Sequence, residues 1–95
     1  MAFYVYILQS LEDQSYYKGF TENPLLRLER HNKGESSYTR NKIPWQIIYL
    51  EPKEKKRDAL IREKSLKKYS HEQIQQLITS SKNYLTEFIN SGSNG

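Results

Sequence analysis

Residues 3–20 read FYVYILQSLEDQSYYKGF and decide the fold. Residues 3–8 and 16–20 are rich in β-branched and aromatic side chains, which favour strands. The polar residues 12–15, Glu-Asp-Gln-Ser, lie between them and have the composition of a turn. The segment is therefore predicted to form a β-hairpin.

Punctuating residues delimit a helix and a third strand after the hairpin. Asn23 followed by Pro24 is typical of a helix start, because Asn caps the free N–H groups and Pro has no N–H to satisfy. Gly34 is expected to end this helix as a left-handed cap. Pro44 precedes an apolar run at residues 45–50, predicted to be a strand with Trp45, Ile47 and Tyr49 on one face.

The last third of the chain has helical signals. Residues 56–68 consist mainly of strong helix formers, and Ser70 with Gln73 forms a capping box for a final helix that residues 79–81 interrupt. The predicted fold class is α+β, with a small three-stranded antiparallel sheet flanked by helices in the order ββαβαα. The apolar residues of the final helical region fall on one stripe: Ile74, Leu77, Ile78, Leu85, Phe88 and Ile89.

Length and composition restrict the protein class. The 95 residues, 36% hydrophobic and 13% aromatic, predict one folded domain. We assign residues 1–78 to the domain, 79–90 to its helical extension and 91–95 to a disordered tail. Cys is missing, which excludes a disulfide framework, a thiolate zinc site and a Cys nucleophile. The first apolar run ends at Leu8, too early for a signal peptide or a membrane span, so we expect a cytoplasmic protein with no membrane partner.

Positive charge is concentrated in one segment. The chain has a net charge of +4, and residues 53–68 carry eight basic and three acidic residues, or +5, which leaves −1 for the rest. Such a concentration is typical of a protein that binds phosphate-rich partners. A solvated helix face would have the same composition.

Three groups of residues could carry chemistry, and each also has a purely structural interpretation. The hairpin brings Tyr6 near Tyr17, which cross-strand aromatic packing also explains. Arg27 and His31 are four apart and share a helix face, either as an exposed pair or as part of a site if Leu25 and Leu28 pack inward. Glu63 lies among basic residues, where it could simply pair with Lys67.

Taken in order, these residues resemble the GIY-YIG nuclease superfamily, in its small single-domain branch that is similar to the nuclease domain of the bacterial excision-repair endonuclease, the excinuclease. Three positions depart from the family pattern. Tyr4 replaces the first glycine, Lys18 the middle isoleucine of the second motif, and Phe20 a lysine that some members carry. The matching elements are Tyr4-Val5-Tyr6, Tyr17-Lys18-Gly19, Arg27, His31, Gly34, Thr39, Pro44, Tyr49-Leu50-Glu51, Ala59 and Glu63, within residues 3–78.

The resemblance implies roles for five residues. Tyr6 and Tyr17 match the two motif tyrosines of the nuclease centre, and Arg27 matches the arginine that contacts the phosphate. His31 matches a position that the superfamily fills with His or Tyr and is expected to assist proton transfer, and Glu63 matches the metal ligand. One carboxylate with water suits Mg²⁺, or Mn²⁺ in its place. Lys18 is an additional candidate to assist Tyr17.

The resemblance implies a metal-dependent DNA endonuclease related to DNA repair or recombination, with a protein partner that supplies target specificity. The alternative is a nucleic-acid-binding module of the same fold with weak or no activity. A third interpretation takes the apolar stripe as an interface for a partner or a second copy. Binding to DNA is expected at Lys18, Lys55, Lys56, Arg57, Lys64, Lys67 and Lys68.

Overall fold

A computed structural model, which describes residues 2–93, confirms the α+β class and the three-stranded antiparallel sheet. Three helices follow the last strand rather than two, so the order is ββαβααα, with one short 3₁₀ turn before the last strand. No helix in residues 2–93 combines the length and apolar character that a membrane crossing requires. The elements are β1 (Phe3–Ser10), β2 (Tyr16–Thr21), α1 (Pro24–Asn32), the 3₁₀ turn (Arg40–Lys42), β3 (Trp45–Lys53), α2 (Lys56–Leu66), α3 (His71–Ile78) and α4 (Leu85–Ser93).

β1 is the central strand of the sheet, whose order is β2-β1-β3. Successive side chains of a strand point to opposite faces, and here both faces are covered. Val5 and Ile7 are fully buried on one side, which we call the rear face. Tyr6 and Leu8 are buried on the other, the front face. This explains why the first motif is apolar throughout rather than alternating.

The helices divide between these two faces. On the rear face, α2 and α3 contribute Ala59, Leu66, Ile74 and Leu77 to the core. On the front face, α1 contributes Leu28 and α4 contributes Leu85 and Phe88. The predicted single apolar stripe is therefore wrong, because α3 and α4 bury their apolar residues on opposite sides of the sheet.

The chain changes sides between α3 and α4, where the interruption predicted at residues 79–81 is confirmed. The side chain of Asn83 fixes this connection. Its Nδ2 donates to the carbonyl oxygens of Ile48 and Ile78, both at 2.9 Å, and its Oδ1 accepts from the backbone N–H of Leu85. The predicted disordered tail started at residue 91, but α4 continues to Ser93, and residues 94–95 lie outside the described residues.

β3 contains a β-bulge that the sequence pattern did not predict. Ile7 pairs with Tyr49 but Leu8 pairs with Ile47, so the register shifts by one residue at Ile48. Trp45 and Ile47 consequently face the front, whereas Tyr49 faces the rear. The expectation that Trp45, Ile47 and Tyr49 share one face is wrong for Tyr49.

Candidate active site

α1 places two polar side chains against the front face. The predicted caps are confirmed, since the Asn23 side chain accepts from the Leu26 N–H at 3.2 Å and Gly34 takes a φ of +79° after the helix end. Leu28 packs on the sheet, but Leu25 is 61% exposed, so the expectation that both pack inward is wrong for Leu25. Burial of this helix face turns Arg27 and His31 towards β1 and β2.

The phenol of Tyr6 is the centre of the cluster. The residue is 2% exposed, and its Oη lies 3.0 Å from Nε2 of His31 and accepts from Nε of Arg27 at 3.3 Å. Gly19 pairs with Tyr6 across the hairpin. A Cβ at this glycine would lie 2.6 Å from the Tyr6 Oη, closer than real Cβ contacts come. The second motif therefore needs a glycine because the ring of the first motif occupies that space.

His31 is a buried member of the cluster rather than half of an exposed surface pair. It is 1% exposed, and its Nδ1 lies 2.8 Å from Oγ1 of Thr39. The carbonyl of Thr39 in turn accepts from Nε1 of Trp45 at 2.8 Å. Burial, helped by the positive charge of Arg27, lowers the pKa of His31 to about 4. The ring is therefore neutral at physiological pH.

Tyr17 completes the aromatic part of the site. Its ring meets the ring of His31 edge-on, with centroids 5.0 Å apart, and lies 6.3 Å from the ring of Tyr6. The hairpin thus brings the two motif tyrosines together as predicted. Burial raises the pKa of Tyr6 to about 12, and the nearby Tyr17 and Glu63 add to this rise, although the Arg27 hydrogen bond opposes it.

The cluster opens onto a cleft of about 460 Å³. Arg27 and Arg30 supply two positive charges to its wall, with Glu35 as the one acidic side chain among the described lining residues. Sequence reasoning missed the loop after α1, which forms the other wall, because no local pattern relates this loop to the hairpin. The cleft is lined by Tyr17, Arg27, Arg30, His31, Glu35, Ser36, Ser37 and Tyr38.

Glu63 approaches the cluster from α2. Its side chain is only 15% exposed, and the predicted pair with Lys67 is present but long, at 3.8 Å between Nζ and Oε1. A pair of that length leaves the carboxylate oxygens able to bind another cation. No group of three or more His, Cys, Asp or Glu residues within residues 2–93 could hold a metal, so a metal here would depend on Glu63 and water.

An ionic cluster on the rear face anchors α2 next to Glu63. Arg62 donates from Nε to Oε1 of Glu51 at 3.1 Å, the Tyr49 hydroxyl donates to the same oxygen, and Lys53 pairs with Oε2 at 2.9 Å. Although burial opposes it, the hydrogen bond from Tyr49 and the two cations hold the pKa of Glu51 below its usual range. The carboxylate is therefore charged and fixes the helix to the sheet.

The structure does not bring the predicted basic residues into the cleft. Lys18 pairs with Ile7 and faces the rear, because it alternates with Tyr17 and Gly19, so it is not beside the Tyr17 hydroxyl as we expected. The α2 residues form an exposed basic surface outside the described lining of the cleft. This basic surface consists of Lys55, Lys56, Arg57, Lys64, Lys67 and Lys68.

Comparisons with known proteins agree with this geometry. Residues 2–75 match the family model described as the GIY-YIG catalytic domain. The chain is 44% identical over 78 residues to a UPF0213 protein of Clostridium perfringens, covering 81% of this chain and 83% of that one. It is 40% identical over 75 residues to a UPF0213 protein of Haloquadratum walsbyi, covering 78% and 83%. The solution NMR structure of a UPF0213 protein from Bacillus halodurans superimposes with a TM-score of 0.55 at 30% identity, over 86% of this chain and 87% of that chain.

Proposed function

Since this chain belongs to the GIY-YIG catalytic domain family, we propose that it is a divalent-metal-dependent DNA endonuclease that hydrolyses phosphodiester bonds. The observation that carries the proposal is the convergence on one phenol: Tyr6 bonds to both Arg27 and His31 at the base of a cationic cleft. A buried phenol with a cation and a neutral imidazole on the same oxygen has the components of a proton-transfer site.

Arg27 binds the phosphate in this proposal. Its Nε is committed to Tyr6, while the guanidinium lines the cleft beside Arg30. A planar guanidinium stabilises the charge on phosphoryl oxygens through paired hydrogen bonds. The contact to Tyr6 fixes the guanidinium plane before the substrate arrives, which reduces the cost of ordering it.

The hydrogen bonds define the tautomer of His31. The Tyr6 Oη already accepts from Arg27, and among the described residues the acceptor available to its own hydrogen is Nε2 of His31. Nδ1 then carries the hydrogen and donates to Thr39 Oγ1. This arrangement satisfies every polar atom of the buried cluster, and it leaves Nε2 ready to take a proton.

Proton transfer from Tyr6 to His31 costs less than forming a free phenolate. With the pKa of Tyr6 at about 12, a free phenolate at neutral pH costs about 7 kcal/mol. Protonating His31, with a pKa of about 4, costs about 4 kcal/mol. Tyr6 therefore takes a proton from the attacking water while its own hydrogen moves to Nε2 of His31, which releases it after the reaction.

The residues present fit a metal ion held mainly by water. Glu63 is a single, largely buried carboxylate with one long ion pair, the kind of donor set that Mg²⁺ or Mn²⁺ uses when most of its ligands are water. Such a cation would supply charge stabilisation to the phosphoryl and leaving oxygens. The ionic cluster around Glu51 keeps the helix that bears Glu63 in place.

The α2 basic surface is proposed to contact phosphates beyond the cleft. Such contacts position nucleic acid without reading its sequence, so target choice requires a protein partner. A role in repair or recombination and a cytoplasmic location complete the proposal.

A cleavage assay with Glu63→Gln tests the enzyme. Native protein with Mg²⁺ or Mn²⁺ is expected to cut at least one of supercoiled, branched or single-stranded DNA, while Glu63→Gln binds that DNA without cutting it. Glu12→Gln is the matched control, because this carboxylate lies on the exposed hairpin turn. If native protein and Glu63→Gln both bind DNA and neither cuts it, the protein is a binding module and the endonuclease proposal is wrong.

A further inference from the structure

Tyr38 has the most exposed side chain among the large hydrophobic residues described, at 85%. Every other Phe, Tyr and Trp in residues 2–93 is buried or half-buried. Within that part of the chain, the Tyr38 ring stacks on no other ring and its hydroxyl forms no hydrogen bond. An aromatic ring held in water forgoes the free energy of burial, and this ring is therefore available to a partner.

The position of Tyr38 places that ring at the candidate active site. Tyr38 lines the cleft together with Arg27 and Arg30. An aromatic ring beside two guanidinium groups is the combination by which proteins hold single strands of nucleic acid, where cations follow the phosphates and rings stack on bases.

The backbone next to Tyr38 is fixed to the catalytic cluster. Thr39 is fully buried, binds His31 through its Oγ1 and accepts from Trp45 through its carbonyl. The N–H groups of Thr39 and Arg40 both donate to the carbonyl of Ser36. These bonds set the point from which the exposed ring projects, at a constant place relative to Tyr6 and Arg27.

We propose that Tyr38 stacks on an unpaired base next to the phosphate bound at Arg27, and that the site thereby selects a locally single-stranded strand over an intact duplex. This inference rests on the proposed function. Inside a duplex both faces of each base are covered by its neighbours, so a protein ring reaches a base face only where the base is unpaired or displaced. Deleting one such stacking contact weakens binding by about tenfold.

Binding in the Glu63→Gln background, where cleavage is not expected, tests the proposal. The probes are a short labelled oligonucleotide and the same sequence as a blunt duplex. We expect tighter binding to the single strand, a loss of about tenfold on Tyr38→Ala, and retention with Tyr38→Trp. Leu11→Ala is the matched control, since Leu11 is an exposed apolar residue outside the described lining of the cleft.

A second measurement reports stacking directly. An oligonucleotide with 2-aminopurine is expected to lose fluorescence on binding, and Tyr38→Ala is expected to abolish this quenching at saturating protein. Equal losses for single strand and duplex, or unchanged quenching in Tyr38→Ala, would overturn the inference. If native protein cuts no DNA but keeps a Tyr38-dependent preference for single strands, the endonuclease proposal fails and the stacking proposal stands.

Discussion

Folding stability is expected to fall in mild acid because of one buried histidine. Burial lowers the pKa of His31 from 6.5 to about 4. The unfolded chain therefore binds a proton as the pH falls through 6.5, whereas the folded protein does not until about pH 4. Linkage converts this difference into a loss of about 2 kcal/mol in the free energy of unfolding between pH 7 and pH 5. For a domain of this size the melting temperature drops by about 8–16 °C.

The assay is urea unfolding followed by circular dichroism, repeated at several pH values across this window. His31→Gln removes the titrating group and keeps a polar side chain, so its stability is expected to be lower at neutral pH but independent of pH between 5 and 7. His71→Gln is the matched control, because His71 is the other histidine and lies exposed at the start of α3. This control is expected to retain the slope of the native protein.

Carboxylates do not obscure the effect. The pKa values of Asp13 and Glu51 are both lowered from ordinary values of 3.8 and 4.5, so their acid destabilisation begins below the window. A native protein whose stability is flat from pH 7 to pH 5 would refute the reasoning. So would a His31→Gln variant that keeps the native slope, because the slope would then come from another group.

Three further substitutions test the cluster and its support. Gly19→Ala places a Cβ against the Tyr6 hydroxyl and is expected to lower the free energy of unfolding by about 2 kcal/mol, together with cleavage; unchanged urea unfolding would contradict this. Arg27→Lys keeps the charge but loses the planar donor set, so cleavage should fall on the order of tenfold with little change in melting; full activity would show that the fork geometry is unimportant. Asn23→Ala removes the α1 cap, and thermal melting should show a loss of about 1 kcal/mol with cleavage kept at low temperature; an unchanged melting curve would mean the cap contributes nothing.

Local signals in the sequence predicted the parts of the fold that depend on neighbouring residues. The hairpin, the caps at Asn23 and Gly34, and the Ser70 capping box are all confirmed, because each depends on a few consecutive residues. The proximity of Tyr6 and Tyr17 also followed, since antiparallel pairing in a hairpin brings its two strands together. Their roles came from the family resemblance rather than from the pattern.

The features that were missed depend on long-range packing. The alternation of β2 was visible in the sequence, but which face would form the site was not, so Lys18 was wrongly set beside Tyr17. Thr39 binds His31 from eight positions away, without a spacing rule that connects a loop to a helix face. The separation of α3 from α4 depends on the Asn83 bonds to β3, which no helical periodicity encodes.

The bulge at Ile48 makes β3 a mechanical link between the two sides of the protein. Before the bulge, Trp45 builds the front wall and holds the loop of Thr39. After it, Tyr49 and Glu51 grip Arg62 on the rear, one position from Glu63. One inserted residue thus lets a single strand set the spacing between the tyrosine cluster and the acidic residue. Removing that residue would turn the Glu51 carboxylate to the front face and release the helix, so β3 is expected to tolerate changes of residue type far better than changes of length.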